Sequence, residues 1–207
     1  MKRAVMALVL AAPLLAQAEN ARQDLFTKGS ADAGSAKAVA CAACHGQGGA
    51  STNREWPKLA AQGSRYIDEQ LGLFRDGTRK NPIMQAQAAA LSDDDMANLA
   101  AYFAAQPANP GVASKDAIAL AEPLYRGGDA ARGLPACSGC HGPGGAGNPA
   151  AAYPRVGGQH AKYVSAQLQA YRAGERVGAN AAIMQAVARQ LSDQEIGALA
   201  SYVNGLQ

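Results

Sequence analysis

Cys41-Ala42-Ala43-Cys44-His45-Gly46 recurs as Cys137-Ser138-Gly139-Cys140-His141-Gly142, 96 positions later, and each copy is followed within three residues by a Gly-Gly pair. The repetition continues outward from there. Trp56-Pro57-Lys58-Leu59 matches Tyr153-Pro154-Arg155-Val156 at an offset of 97. Ile67, Leu71 and Phe74 match Val164, Leu168 and Tyr171 at the same offset. Their spacing of four and then three predicts one apolar helical stripe per copy. Ile83-Met84-Gln85-Ala86 then matches Ile183-Met184-Gln185-Ala186, and Leu91-Ser92-Asp93 matches Leu191-Ser192-Asp193, now at an offset of 100. The three extra residues fall before the methionine, which places the insertion in a loop. Each copy closes with a helix. Ser192 with Glu195 is a capping box, and Ser92 followed by Asp93, Asp94 and Asp95 puts a cap and acidic residues at a positive helix end. The inward positions are Met96, Leu99 and Phe103 in the first copy and Ile196, Leu199 and Val203 in the second.

Composition limits what such a repeat can be. Of 207 residues, 49 are Ala and only 5% are aromatic, so an all-β sandwich is disfavoured. A net charge of +3, from 19 basic and 16 acidic residues, is too balanced for a protein built to neutralise phosphates. Lys2-Arg3, the apolar run Ala4 to Leu15 and Ala16-Gln17-Ala18 have the pattern of a cleaved signal peptide over residues 1–18. The mature chain would start at Glu19 with a net charge of +1. Gln106 to Gly111 has linker composition, which divides the rest into domains 19–107 and 108–207. Domains this small and this poor in aromatics usually need a staple.

The four cysteines supply it. In an oxidising compartment free thiols do not persist, so they become disulfides, metal ligands or cofactor attachments. Cys-x-x-Cys-His is the attachment motif of c-type haem: two thiols form thioethers with the vinyl groups and the His is the proximal iron ligand. A dithiol redox pair, a four-Cys zinc site and two structural disulfides all leave the paired histidines unexplained. One covalent haem c per domain follows, on Cys41 and Cys44 with His45, and on Cys137 and Cys140 with His141. Met84 and Met184 are the equivalent methionines, 39 and 43 residues beyond those histidines, and are the expected distal ligands from a loop before the closing helix. Met96 has Ile196 as its counterpart and is read as core filling. His160 has Gly63 as its counterpart, so as a ligand it would serve one domain alone, and it is read as a solvated surface residue. A bound His normally donates its other ring N–H to an acceptor, and the carbonyls of Pro57 and Pro154 are the proposed partners of His45 and His141. Arg75, Arg79 and Lys80 are read as a solvated face.

The two motifs, the paired methionines, the duplication and the leader together resemble the dihaem cytochrome c4 family across essentially the whole mature chain. The resemblance implies an all-α fold of two class I cytochrome c domains related by a pseudo-twofold axis, with haem edges and propionates facing one another. In such domains the proximal His is held by a proline carbonyl. It also implies a periplasmic electron carrier, not an enzyme, soluble or loosely membrane-associated. Such a carrier takes electrons from a quinol-oxidising cytochrome bc complex and delivers them to a terminal oxidase, often of the haem-copper cbb3 type. A thiosulfate-oxidising dihaem enzyme typically uses a distal cysteine, and no fifth cysteine exists here. The rival reading is the dihaem subunit of a flavocytochrome dehydrogenase, such as a sulfide-oxidising one, which shares fold and ligands but needs a flavoprotein partner. Residues 19–107 carry a net charge of −1 and 108–207 a net +2, a dipole able to orient the molecule towards different partners.

Overall fold

The computed structural model describes residues 27–206, so the expected leader over 1–18 and the domain start at Glu19 lie outside the described residues. Within them the chain is helical, with two isolated bridges, Asp129 to Leu134 and Asn148 to Tyr153, and no β-strand. No described helix is long and apolar enough to cross a membrane.

The first half comprises α1 (Ala31–His45), a 3-10 turn (Gln47–Gly49), α2 (Ser64–Arg75), α3 (Pro82–Ala88) and α4 (Asp93–Ala104). The second comprises α5 (Lys115–Gly127), α6 (Cys137–His141), α7 (Ala161–Arg172), α8 (Ala181–Ala188) and α9 (Asp193–Gly205). In each half the first helix packs against the closing one, α1 on α4 and α5 on α9. Gly34 makes the first crossing close: a Cβ there would lie 2.1 Å from the carbonyl oxygen of Asn98 and 2.8 Å from Cβ of Tyr102. The same side of α1 is anchored where Ser30 N–H donates to Asn98 Oδ1 at 2.8 Å.

The closing helices begin as their caps require. Ser92 and Ser192 each accept from the backbone of Asp95 and Glu195, whose side chains accept in return. Their inward residues are buried in both halves, Met96 as well as its counterpart Ile196. The two cores differ in size. Ala38, Ile67, Leu99, Ala100 and Phe103 form the first, whereas Tyr125, Leu134, Leu191, Ile196, Leu199 and Tyr202 are among a larger set in the second. Tyr125 is fully buried there, and its hydroxyl donates to the Gly142 carbonyl at 2.7 Å.

Arg132 ties the second core to its closing helix. Its guanidinium contacts Glu195 Oε1 at 2.7 Å and Asp129 Oδ2 at 2.7 Å. The Arg132 bond, helped by Ser192, holds the Glu195 carboxyl at about 2, against an ordinary 4.5. A carboxylate more acidic folded than unfolded stabilises the fold above the unfolded value and loses that contribution as pH falls through the folded one. Thermal melts should therefore show stability falling from pH 4.5 towards 2, and Glu195→Gln should flatten that part of the slope.

Candidate functional site

The first motif is the last turn of α1, so one continuous helix presents Cys41, Cys44 and His45. In the second half the chain leaves α5 at Gly128, turns through the Asp129–Leu134 bridge and forms α6 for the motif alone. Gly46 and Gly142 end the two motif helices with φ of 75° and 80°, a conformation favoured by glycine. None of the four cysteines is in a disulfide.

Both motifs open onto one continuous cavity of about 970 Å³, which Met84 and Met184 also line. The methionines come from short helices and not from the loops expected. Asn81 caps α3, accepting from Met84 N–H at 3.0 Å, with Pro82 in the first turn. The walls are apolar: Leu59, Ile67, Leu71 and Phe74 in one half, Val156, Val164, Leu168 and Tyr171 in the other. His45 Nδ1 lies 2.8 Å from the Pro57 carbonyl oxygen, and His141 Nδ1 lies 2.8 Å from that of Pro154. Each ring N–H is thereby committed and Nε2 is left for a ligand. Burial lowers the pKa of both imidazoles against the opposing pull of these carbonyls, which favours the neutral, ligating form. Burial also pushes the Cys137 thiol up to about 11.

Two cations complete the cavity, and one corrects the sequence reading. Arg79 is not on a solvated face. It is buried, stacks 4.5 Å above the Phe74 ring, and donates to Gln70 at 2.7 Å, Tyr163 at 3.0 Å and Gln167 at 2.9 Å. Arg176 mirrors it, 4.6 Å above Tyr171 and donating to Gln167 at 2.8 Å, Tyr66 at 2.5 Å and Gln70 at 3.2 Å. Each long side chain crosses the domain boundary for two of its three hydrogen-bond partners, which a local cluster of charges does not announce. Among the described residues neither forms an ion pair. His160 is corrected likewise: it is half-buried at the N-cap of α7, and its Nε2 donates to the Ser51 carbonyl of the other half at 2.8 Å.

The donor set and the walls fit a pair of haems. Each half offers two thiols, an oriented imidazole and a thioether on an apolar slot, and two buried guanidinia without carboxylate partners suit the propionates of such groups. A cytochrome c family model matches residues 31–106 and 130–207. Cytochrome c4 of Pseudomonas aeruginosa is 46% identical over 179 residues, covering 86% of this chain and 89% of that protein. The chain belongs to the dihaem cytochrome c4 family. The crystal structure of reduced recombinant cytochrome c4 from Pseudomonas stutzeri superposes with a TM-score of 0.83 at 42% identity, covering 86% of this chain and all of that one. A protein named thiosulfate dehydrogenase electron acceptor, from Stutzerimonas stutzeri, is 41% identical over 87% of this chain and 83% of its own length. This cytochrome c4 relative therefore carries two covalent haem c groups and is an electron carrier, not an enzyme. The haems supply reversible one-electron chemistry; the protein's part is to orient them, shield them and set their potentials.

Residues beyond the motifs hold the two halves together. Gln62 and Gln159 reach across the boundary with side-chain amides, and Tyr66, Gln70 and Arg79 face Tyr163, Gln167 and Arg176. All four pairs stand at the offset of 97 already visible in the apolar positions. Comparing polar residues across the repeat finds them.

Proposed function

We propose that this chain, exported by its leader to the periplasm, passes electrons from a quinol-oxidising cytochrome bc complex to a terminal oxidase of the haem-copper type. Domains 19–107 and 108–207 each carry one haem, attached through Cys41 and Cys44 or through Cys137 and Cys140. His45 with Met84, and His141 with Met184, are the axial ligands, which close each iron to small molecules and suit it to electron transfer. The observation that supports this most is the opening of both Cys-x-x-Cys-His motifs and both methionines onto one cavity, an arrangement that brings two redox groups together within one carrier. The Pro57 and Pro154 carbonyls fix the two imidazoles.

The named thiosulfate dehydrogenase electron acceptor favours a second electron source, thiosulfate oxidation, feeding the same two haems. Stopped-flow reduction of the purified ferric protein separates the sources. Fast reduction by membranes containing the bc complex, followed by oxidation by oxidase-containing membranes, is the expected result. Reduction by a thiosulfate dehydrogenase but not by the membranes would move the protein to the second pathway. Stoichiometric co-purification with a flavoprotein would instead make it a dehydrogenase subunit.

A further inference from the structure

The Pro57–Lys58 peptide group faces two ways. Its carbonyl oxygen lies 2.8 Å from His45 Nδ1, and its N–H donates at 2.9 Å to Oε1 of Gln159, in the other half of the molecule. The Pro154–Arg155 peptide repeats the arrangement in reverse: its oxygen lies 2.8 Å from His141 Nδ1, and its N–H donates at 2.7 Å to Oε1 of Gln62. Both glutamines are buried, Gln159 8% and Gln62 6% exposed. Their Nε2 groups donate to the Lys58 and Arg155 carbonyls at 2.9 and 3.0 Å, and each Oε1 also accepts from the next N–H of its own chain segment, Gly63 or His160. Two N–H donors on one side and a carbonyl on the other leave only one orientation of each carboxamide.

A peptide group is a conjugated unit, so an acceptor on its N–H draws electron density onto its oxygen, and hydrogen bonds in a chain strengthen one another. The oxygen then binds the imidazole N–H more firmly, and an imidazole held this way is a more basic ligand. A more basic ligand favours the ferric state and lowers the potential. We propose that Gln159 and Gln62 are positioning residues that set the haem potential of the opposite domain, Gln159 through Pro57 to His45 and Gln62 through Pro154 to His141. The proposal rests on His45 and His141 being the proximal ligands. Each half then lowers the other's potential by docking against it, so electron partition between the haems depends on the interface and not on either domain alone.

The test uses the two-haem protein and the variants Gln159→Leu and Gln62→Leu. Redox titrations are followed by proton NMR of the axial methionine methyls, which resolves the two haems, and by the Nδ1 resonances of 15N-labelled histidine. Gln159→Leu should raise the N-terminal haem potential alone, and Gln62→Leu the C-terminal one alone. The equilibrium constant for electron exchange between the haems should shift in opposite directions in the two variants, by up to about tenfold, which is about 59 mV for a one-electron couple. The two variants delete equivalent sets of bonds from opposite sides of the interface. General loosening therefore moves both haems alike in both variants, and that result, or no shift, overturns the proposal. Histidine Nδ1 resonances without hyperfine shift in the unmodified protein would instead overturn the ligand assignment beneath it. Should the leucine variants not assemble, Gln159→Asn and Gln62→Asn, one methylene shorter, are read in the same way.

Discussion

Replacing Cys41 and Cys44 together with alanine is expected to give a protein with about half the haem per chain and an N-terminal half that no longer folds cooperatively. The size of the effect follows from how little else holds that half. Its buried cluster is Ala38, Ile67, Leu99, Ala100 and Phe103, two of the five being alanines. Leu71 packs only at the edge of that cluster, while Leu59, Ile67, Leu71 and Phe74 turn their remaining surface to the cavity. A haem bound there covers these side chains, whereas without it α2 keeps only the face that Ile67 buries against α4, and its cavity face is left bare. The C-terminal half should survive, because Tyr125, Leu134, Leu191, Ile196, Leu199 and Tyr202 bury one another without help from the cavity. Haem quantification together with calorimetry checks this. Two covalent haems in the variant, or an unchanged N-terminal transition, would refute the attachment through these cysteines.

The parts of the molecule legible in the sequence are those whose cause is local or repeated. Ser92 and Ser192 announce the closing helices because a cap and its acidic partner sit within one turn. The apolar stripes of α2 and α7 follow from spacing, and the histidine-bearing motifs from covalent chemistry that demands adjacent residues. Met84 and Met184 read as loop residues because α3 and α8 span only 7 and 8 residues, too short for a helical period to emerge. Asn81-Pro82 was the available cue, a cap followed by a first-turn proline. Arg79 and His160 misled for a different reason. Their burial depends on Tyr163, Gln167 and Ser51, each in the opposite half, and the local partners of Arg79, Phe74 and Gln70, do not announce that docking. The glutamines lie between these cases. Gln62 and Gln159 stand at the repeat offset, so their equivalence is in the sequence, but their role exists only once the halves dock.

The second large effect concerns the distal side. Met84→Ala and Met184→Ala should each remove about half of the ferric methionine charge-transfer band, and the double variant should abolish it. The potential of the altered haem should fall on the order of 0.1 V, within the roughly 0.8 V range that axial ligands command. A thioether stabilises ferrous iron, so its loss favours the ferric state, and the vacated position opens to small ligands such as cyanide. Only the altered haem should bind them. The fold should persist in the single variants, because Met84 and Met184 are half-buried residues of short helices and the buried clusters do not include them. Those helices are not held equivalently. α3 is capped by Asn81 at Met84 itself, whereas Asn180 donates instead to the Ala151 carbonyl at 3.2 Å and Gln185 to that of Arg176 at 3.0 Å. The second methionine is thus tethered to the segment carrying the buried Arg176, and the first only to its own cap. With Met84 and Met184 as the proposed ligands, the two haems of one duplicated fold would be differently supported, so unequal potentials are expected. A band that persists in the double variant would exclude both methionines as ligands.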